Sequence, residues 1–82
     1  MKPKLLLLSR PECELCEELE FALFTQFSAT TFELERADVD SRPEWKTRYG
    51  LKIPVLLTAA GEVLCSTRFD AEAVADFLKN PG

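Results

Sequence analysis

With 82 residues the chain is long enough for one domain and one modest core, because a fold of this size buries only about 60% of its unfolded surface. Its 46% hydrophobic and 29% charged residues are those of an ordinary globular protein, and its formal charge of −4 comes with basic residues that are scattered rather than clustered. That balance argues against nucleic acid or an anionic membrane surface as the main partner, and no stretch approaches the ~18 apolar residues of a membrane span.

The start, Met1-Lys2-Pro3-Lys4 before four leucines, faintly imitates a signal peptide. The apolar stretch is shorter than an h-region of about 7–15 residues and no small-residue cleavage site follows, so it reads as the first strand of a cytoplasmic protein. Lys4 to Ser9 has the continuous apolar character of a strand buried on both faces. Pro11 breaks the run. A helix follows from about Cys13 to Phe27, with Leu15, Leu19, Ala22, Leu23 and Phe27 at helical spacing and Phe21 and Phe24 widening the apolar face. Glu12, Glu14, Glu17 and Glu18 place negative charge around its first turns, the sign a helix N-terminus favours.

After a loop at Ser28–Thr30, Thr31 to Asp38 reads as a second strand, parallel to the first across the helix. Asp40 or Ser41 is placed to cap a short helix with Pro43 in its first turn, Glu44 for a capping box, Trp45 and Tyr49 on one face, and Gly50 as its C′ residue. Leu51 to Leu57 carries Pro54 ahead of a short apolar strand, and Ala59-Ala60-Gly61 turns it back into Glu62–Cys65 as a hairpin. Asp70 caps a last helix, Ala71 to Lys79, which Asn80-Pro81-Gly82 terminates. The order is β-α-β-α-β-β-α, in a single domain over residues 1–82.

The chemistry-bearing stretch is Ser9-Arg10-Pro11-Glu12-Cys13-Glu14-Leu15-Cys16. Two cysteines three apart at a strand-to-helix junction put one thiol at the helix N-terminus and the other a turn behind it, within reach of a disulfide. Three cysteines are too few for a disulfide scaffold, so the pair points to thiol–disulfide chemistry or metal binding, and the chain has no histidine. A free thiol has a pKa near 8.5, which a helix N-terminus or a nearby cation such as Arg10 lowers. Four glutamates close by push the other way, which predicts a comparatively reducing pair. Cys65 reads mainly as a small core hydrophobe.

This motif, with the element order and Tyr49-Gly50-Leu51-Lys52-Ile53-Pro54-Val55-Leu56, resembles the glutaredoxin branch of the thioredoxin fold over nearly the whole chain, and more narrowly the small glutaredoxin-like proteins that carry no assigned role. The resemblance implies an α/β, thioredoxin-like architecture: a four-stranded mixed sheet of order 2-1-3-4 with helices on both faces. It implies Cys13 as nucleophile and Cys16 as resolving thiol, a cis bond before Pro54, and an Ile53 backbone that pairs with an extended substrate. It further implies Arg10 as a partner for the thiolate or a glutathione carboxylate, and Asp70 as a contact for a substrate amine beside its capping role. No organic cofactor is required on this reading, and glutathione is left open as a co-substrate. Two departures bear on it: glutaredoxins carry Pro-Tyr where this chain has Glu14-Leu15, and a Gly-Gly pair where it has Cys65-Ser66-Thr67-Arg68-Phe69-Asp70.

The expected function is a dithiol–disulfide oxidoreductase acting as a cytoplasmic monomer on a disulfide-containing protein or small thiol, served by thioredoxin reductase or a glutathione system, with no nucleic acid, membrane or metal involved. The alternatives are a non-catalytic binding module of the same fold and an iron–sulfur or zinc carrier that uses the C-x-x-C pair.

Overall fold

Four consecutive leucines have to serve two faces at once, since successive side chains of a strand point to opposite sides. The structure, a computed structural model, describes residues 2–81; Met1 and Gly82, the ends of the expected domain, lie outside the described residues. In it β1 (Lys4–Ser9) sends Leu5 and Leu7 into one core and Leu6 and Leu8 into another. The first core joins Leu5 and Leu7 to Leu19, Leu23, Phe32, Leu56, Cys65 and Val74. The second joins Leu8 to Val39, Val55 and Leu57, with Trp45 and Tyr49 packed against it.

The strands run in the order β2-β1-β3-β4. β2 (Glu33–Asp38) is parallel to β1, pairing Lys4 with Glu33 through Ser9 with Asp38. β3 (Val55–Thr58) is antiparallel to β1, with Leu8 opposite Val55, and β4 (Val63–Ser66) is antiparallel to β3 with an irregularity between Leu56 and Leu57. The two inner strands are the most apolar, whereas the outer β2 carries Glu33, Glu35, Arg36 and Asp38, charges that discourage pairing with another chain. Gly61 supplies the φ of 89° that turns the β3–β4 hairpin, and its N–H donates to Thr58 O at 2.9 Å.

α1 (Glu14–Gln26) is bounded by Cys13 and Phe27, close to the expected limits. Its buried face is narrower than expected. Cys16, Leu19 and Leu23 carry it, while Phe21 is 75% and Phe24 39% exposed and Leu15 is exposed too. At about 100° per residue, Phe21 lies some 200° round the helix from Leu19, so it cannot share that stripe.

α2 (Pro43–Tyr49) starts on the expected proline, but neither Asp40 nor Ser41 caps it. Residues Val39–Ser41 form a 3₁₀ turn capped by Asp38, whose carboxylate accepts from Asp40 N at 2.8 Å. Arg42 then occupies the N-cap without a side-chain bond, its guanidinium 4.8 Å from the Trp45 ring centroid, and no capping box forms. Gly50 ends α2 in a right-handed conformation (φ −53°) rather than the left-handed C′ one. Space, not φ, requires glycine here: a Cβ would run into Lys46 O and come within 3.2 Å of Arg10 Nη2. α3 (Ala71–Lys79) begins as expected, with Asp70 Oδ1 accepting from Ala73 N at 3.1 Å. No helix among the described residues is long and apolar enough to cross a membrane.

Candidate active site

The site forms where β1 hands over to α1. Pro11 ends the strand, and Glu12 takes a φ of 58°, a left-handed conformation costing a non-glycine residue about 1–2 kcal/mol. That turn sets Cys13 at the N-cap of α1. Its sulfur accepts from the Cys16 N–H at 3.2 Å and its carbonyl from Glu17 N at 3.1 Å. A sulfur thus replaces the oxygen of an ordinary capping side chain, satisfying one of the free N–H groups at the helix start. Cys13 and Cys16 are joined by a disulfide with their Cα atoms 5.2 Å apart. Cys13 is half-buried, and Cys16, one turn in, is only 5% exposed. The accessible sulfur and the covered one are those the sequence assigned to attack and resolution.

Arg10 does not stand free beside the cysteines. Its Nε and Nη2 donate to the two Asp40 oxygens at 2.8 and 3.0 Å, and its Nη1 donates to Gly50 O at 2.7 Å. This fork-to-carboxylate pair ties the cysteine loop to the 3₁₀ turn and to the end of α2. The guanidinium in turn holds the Asp40 carboxyl below the usual carboxylate range. Across α1, Arg36 of β2 grips both oxygens of Glu20 at 2.7 and 2.8 Å and lowers that carboxyl too. Both partners of these clamps lie far apart in sequence, and nothing in the local pattern announced Asp40 or Gly50 as part of the site.

The clamps predict a pH dependence. Both carboxyl pKa values are lower folded than unfolded, so their contribution is fully present above the unfolded value of about 4 and is lost as pH falls through the folded one. Asp40→Asn with Glu20→Gln is expected to flatten the acid limb of a urea-midpoint-versus-pH curve below about pH 4. An acid limb as steep as in the parent chain would contradict the clamps.

The Leu8–Val55 pairing brings Pro54 to the same end of the sheet as the cysteine loop, and the Ile53–Pro54 bond is cis, as the resemblance implied. Thr67, itself at φ 71°, donates its N–H to Pro54 O at 2.8 Å and its hydroxyl to Lys52 O at 3.2 Å. Between those anchors, the Ile53 backbone makes no hydrogen bond to any described residue. Asp70 is engaged in capping α3.

Cys65 sits in the first core, 2% exposed, and its sulfur accepts from Asp70 N at 3.3 Å. Burial pushes its thiol up from the ordinary value, so it is a packing group with little thiolate character. Among the described residues, no three His, Cys, Asp or Glu side chains are grouped to hold a metal ion.

The mixed sheet of order 2-1-3-4, the C-x-x-C at the start of α1 and the cis-proline opening β3 define a thioredoxin-like fold. The family model for the glutaredoxin-like domain (DUF836) matches residues 4–79, and the chain belongs to that family. No curated protein matches it. Among solved structures it is similar to protein Ne2328 from Nitrosomonas europaea, at 27% identity and a TM-score of 0.83 over 94% of this chain and 92% of that one. It is also similar to protein XcR50 from X. campestris, at 28% identity and a TM-score of 0.71 over 92% and 95% of the two chains. A disulphide isomerase from Xylella fastidiosa Temecula1 aligns at 25% identity and a TM-score of 0.52, over 98% of this chain and 78% of that one.

Proposed function

We propose that the chain is a dithiol–disulfide oxidoreductase. The observation that carries this is the bridged pair itself: an accessible sulfur capping α1 and a covered one a turn behind it. Family membership and the likeness to a disulphide isomerase support it.

In the reduced chain, Cys13 gives up its proton and the thiolate attacks one sulfur of a substrate disulfide. The substrate's other sulfur leaves with the electron pair of the broken S–S bond and takes up a proton. Cys16, deprotonated in turn, attacks Cys13 and expels the remaining substrate thiolate. Two electrons pass to the substrate and the Cys13–Cys16 disulfide forms. A dithiol, or two monothiols, resets it. The Cys16 N–H on Cys13 Sγ stabilises the thiolate, and the helix N-terminus adds to that. Ile53 offers its unpaired backbone to an extended substrate strand beside Pro54. Arg10 serves by fixing the loop through Asp40 and Gly50, and Asp70 chiefly by capping α3.

On the same reading the chain works as a monomer in the cytoplasm, drawing electrons from a thioredoxin reductase or a glutathione system. Its substrates are protein disulfides, and the surrounding glutamates, which repel the negative charge of glutathione, favour thioredoxin reductase over a glutathione system as the electron source. The test is to express Cys16→Ser in cells and identify what is disulfide-linked to Cys13. A partner released by dithiol is expected. No trapped partner, beside efficient trapping by a control oxidoreductase, would overturn the proposal.

A further inference from the structure

One flank of α1, beside its buried stripe, is not the charged surface of an ordinary solvent-facing helix. Phe21 and Phe24 are exposed there and help line an open groove of about 610 Å³ that runs to the redox pair. Glu12, Cys13, Cys16 and Glu17 line the same groove. Exposed aromatic rings beside a reactive sulfur are costly to leave in water and mark a contact surface.

The charges of this groove do not balance. Arg10, the only cation among the described residues that line it, is neutralised by Asp40, and Glu20 by Arg36. Glu12 and Glu17 have no ion-pair partner among the described residues. An occupant that complements the groove therefore carries positive charge toward the cysteine end and an apolar side chain toward the phenylalanines. Phe24 lies eleven positions beyond Cys13, about 16 Å along the helix at 1.5 Å per residue, a span that roughly five extended residues cover.

We propose that this groove receives a basic–apolar, cysteine-bearing segment of a partner protein. Its cysteine meets Cys13, a Lys or Arg next to it faces Glu12 and Glu17, and an apolar residue about five positions away packs on Phe21 and Phe24. This assigns a substrate class to the dithiol chemistry and rests on that reading. The surface is separate from the Ile53 backbone edge.

Two peptides test it, each a mixed disulfide with a reporter thiol and each with phenylalanine five residues from the cysteine. One carries lysine beside the cysteine and the other glutamate. Specificity constants are compared for the parent chain, Glu17→Lys, Phe21→Ser and, as a control outside the groove, Glu72→Lys on α3. The lysine peptide is expected to be preferred by roughly tenfold, and Glu17→Lys to remove or invert that preference. The ratio between peptides cancels any effect of the new charge on Cys13 itself. Phe21→Ser is expected to weaken both peptides about threefold or more, with circular dichroism confirming its fold, and Glu72→Lys to leave the ratio unchanged. Equal constants for the two peptides, unmoved by Glu17→Lys, would overturn the groove and leave the dithiol reading standing. If neither peptide is reduced, that reading fails, and binding of the serine-for-cysteine peptides decides the groove: a lysine preference lost in Glu17→Lys upholds it, and its absence overturns it. A dimer that Phe21→Ser dissociates would overturn it in favour of a second copy.

Discussion

Cys13→Ser is expected to lower catalysed disulfide reduction at least about a hundredfold, because the hydroxyl that replaces the thiol is not ionised near neutral pH and cannot attack sulfur. Cys16→Ser is expected to behave differently. It retains the accessible Cys13 and should give one rapid equivalent of released thiol, then stall as a mixed disulfide. The asymmetry follows from geometry: Cys13 is the half-buried cap that presents its sulfur at the end of α1, and Cys16 is covered beneath it. Stopped-flow release of a chromophoric thiol checks both variants. Cys65→Ala, which removes a sulfur from the core, should leave the exchange rate unaltered and lower only stability. Equal loss in Cys13→Ser and Cys16→Ser with no burst in the latter would reverse the assignment of roles.

Phe32→Ala should produce the largest loss of stability, about 3–5 kcal/mol, against a total of about 5–15 kcal/mol for a typical domain. Phe32 is almost fully buried just before β2, and its ring centroid lies 5.4 Å from that of Phe24 on α1. Removing it leaves a cavity where the helix bearing the cysteines meets the sheet, so the consequence reaches the site as well as the core. A urea titration followed by circular dichroism should show a midpoint sharply lowered at an unchanged slope. A loss below about 1 kcal/mol would mean that Phe32 is not the support assigned to it.

Much of the fold was legible in the sequence because its strongest signals are local and mutually consistent. The leucine run, the prolines at 11, 43 and 54, and the Asp70 cap each mark a boundary through the chemistry of one or two residues. Sheet order and the cis bond before Pro54 came through resemblance, since no local rule fixes which strands adjoin. At Phe21 residue type suggests burial but angular position on α1 leaves the ring exposed, whereas Phe24 is partly exposed and still packs on Phe32. Capping of α2 was misjudged because a 3₁₀ turn took Asp40 and Ser41 before that helix began. In the site, the placement of Cys13 at the start of α1 and of Cys16 one turn in was legible from their spacing at a strand-to-helix junction. The Arg10–Asp40–Gly50 clamp was not, because it joins residues 30 and 40 positions apart, a proximity that only the folded sheet creates.

The central claim is that Cys13 and Cys16 form a reversible two-electron couple. Its most direct test is equilibration of the purified chain in dithiol–disulfide buffers, with the redox state of the pair read by thiol alkylation and mass. A single reversible transition between about −300 and −120 mV is expected, toward the reducing end given the glutamates around Cys13. A pair that stays wholly reduced or wholly oxidised across that span, or that changes state without the reciprocal transition on return, would contradict it.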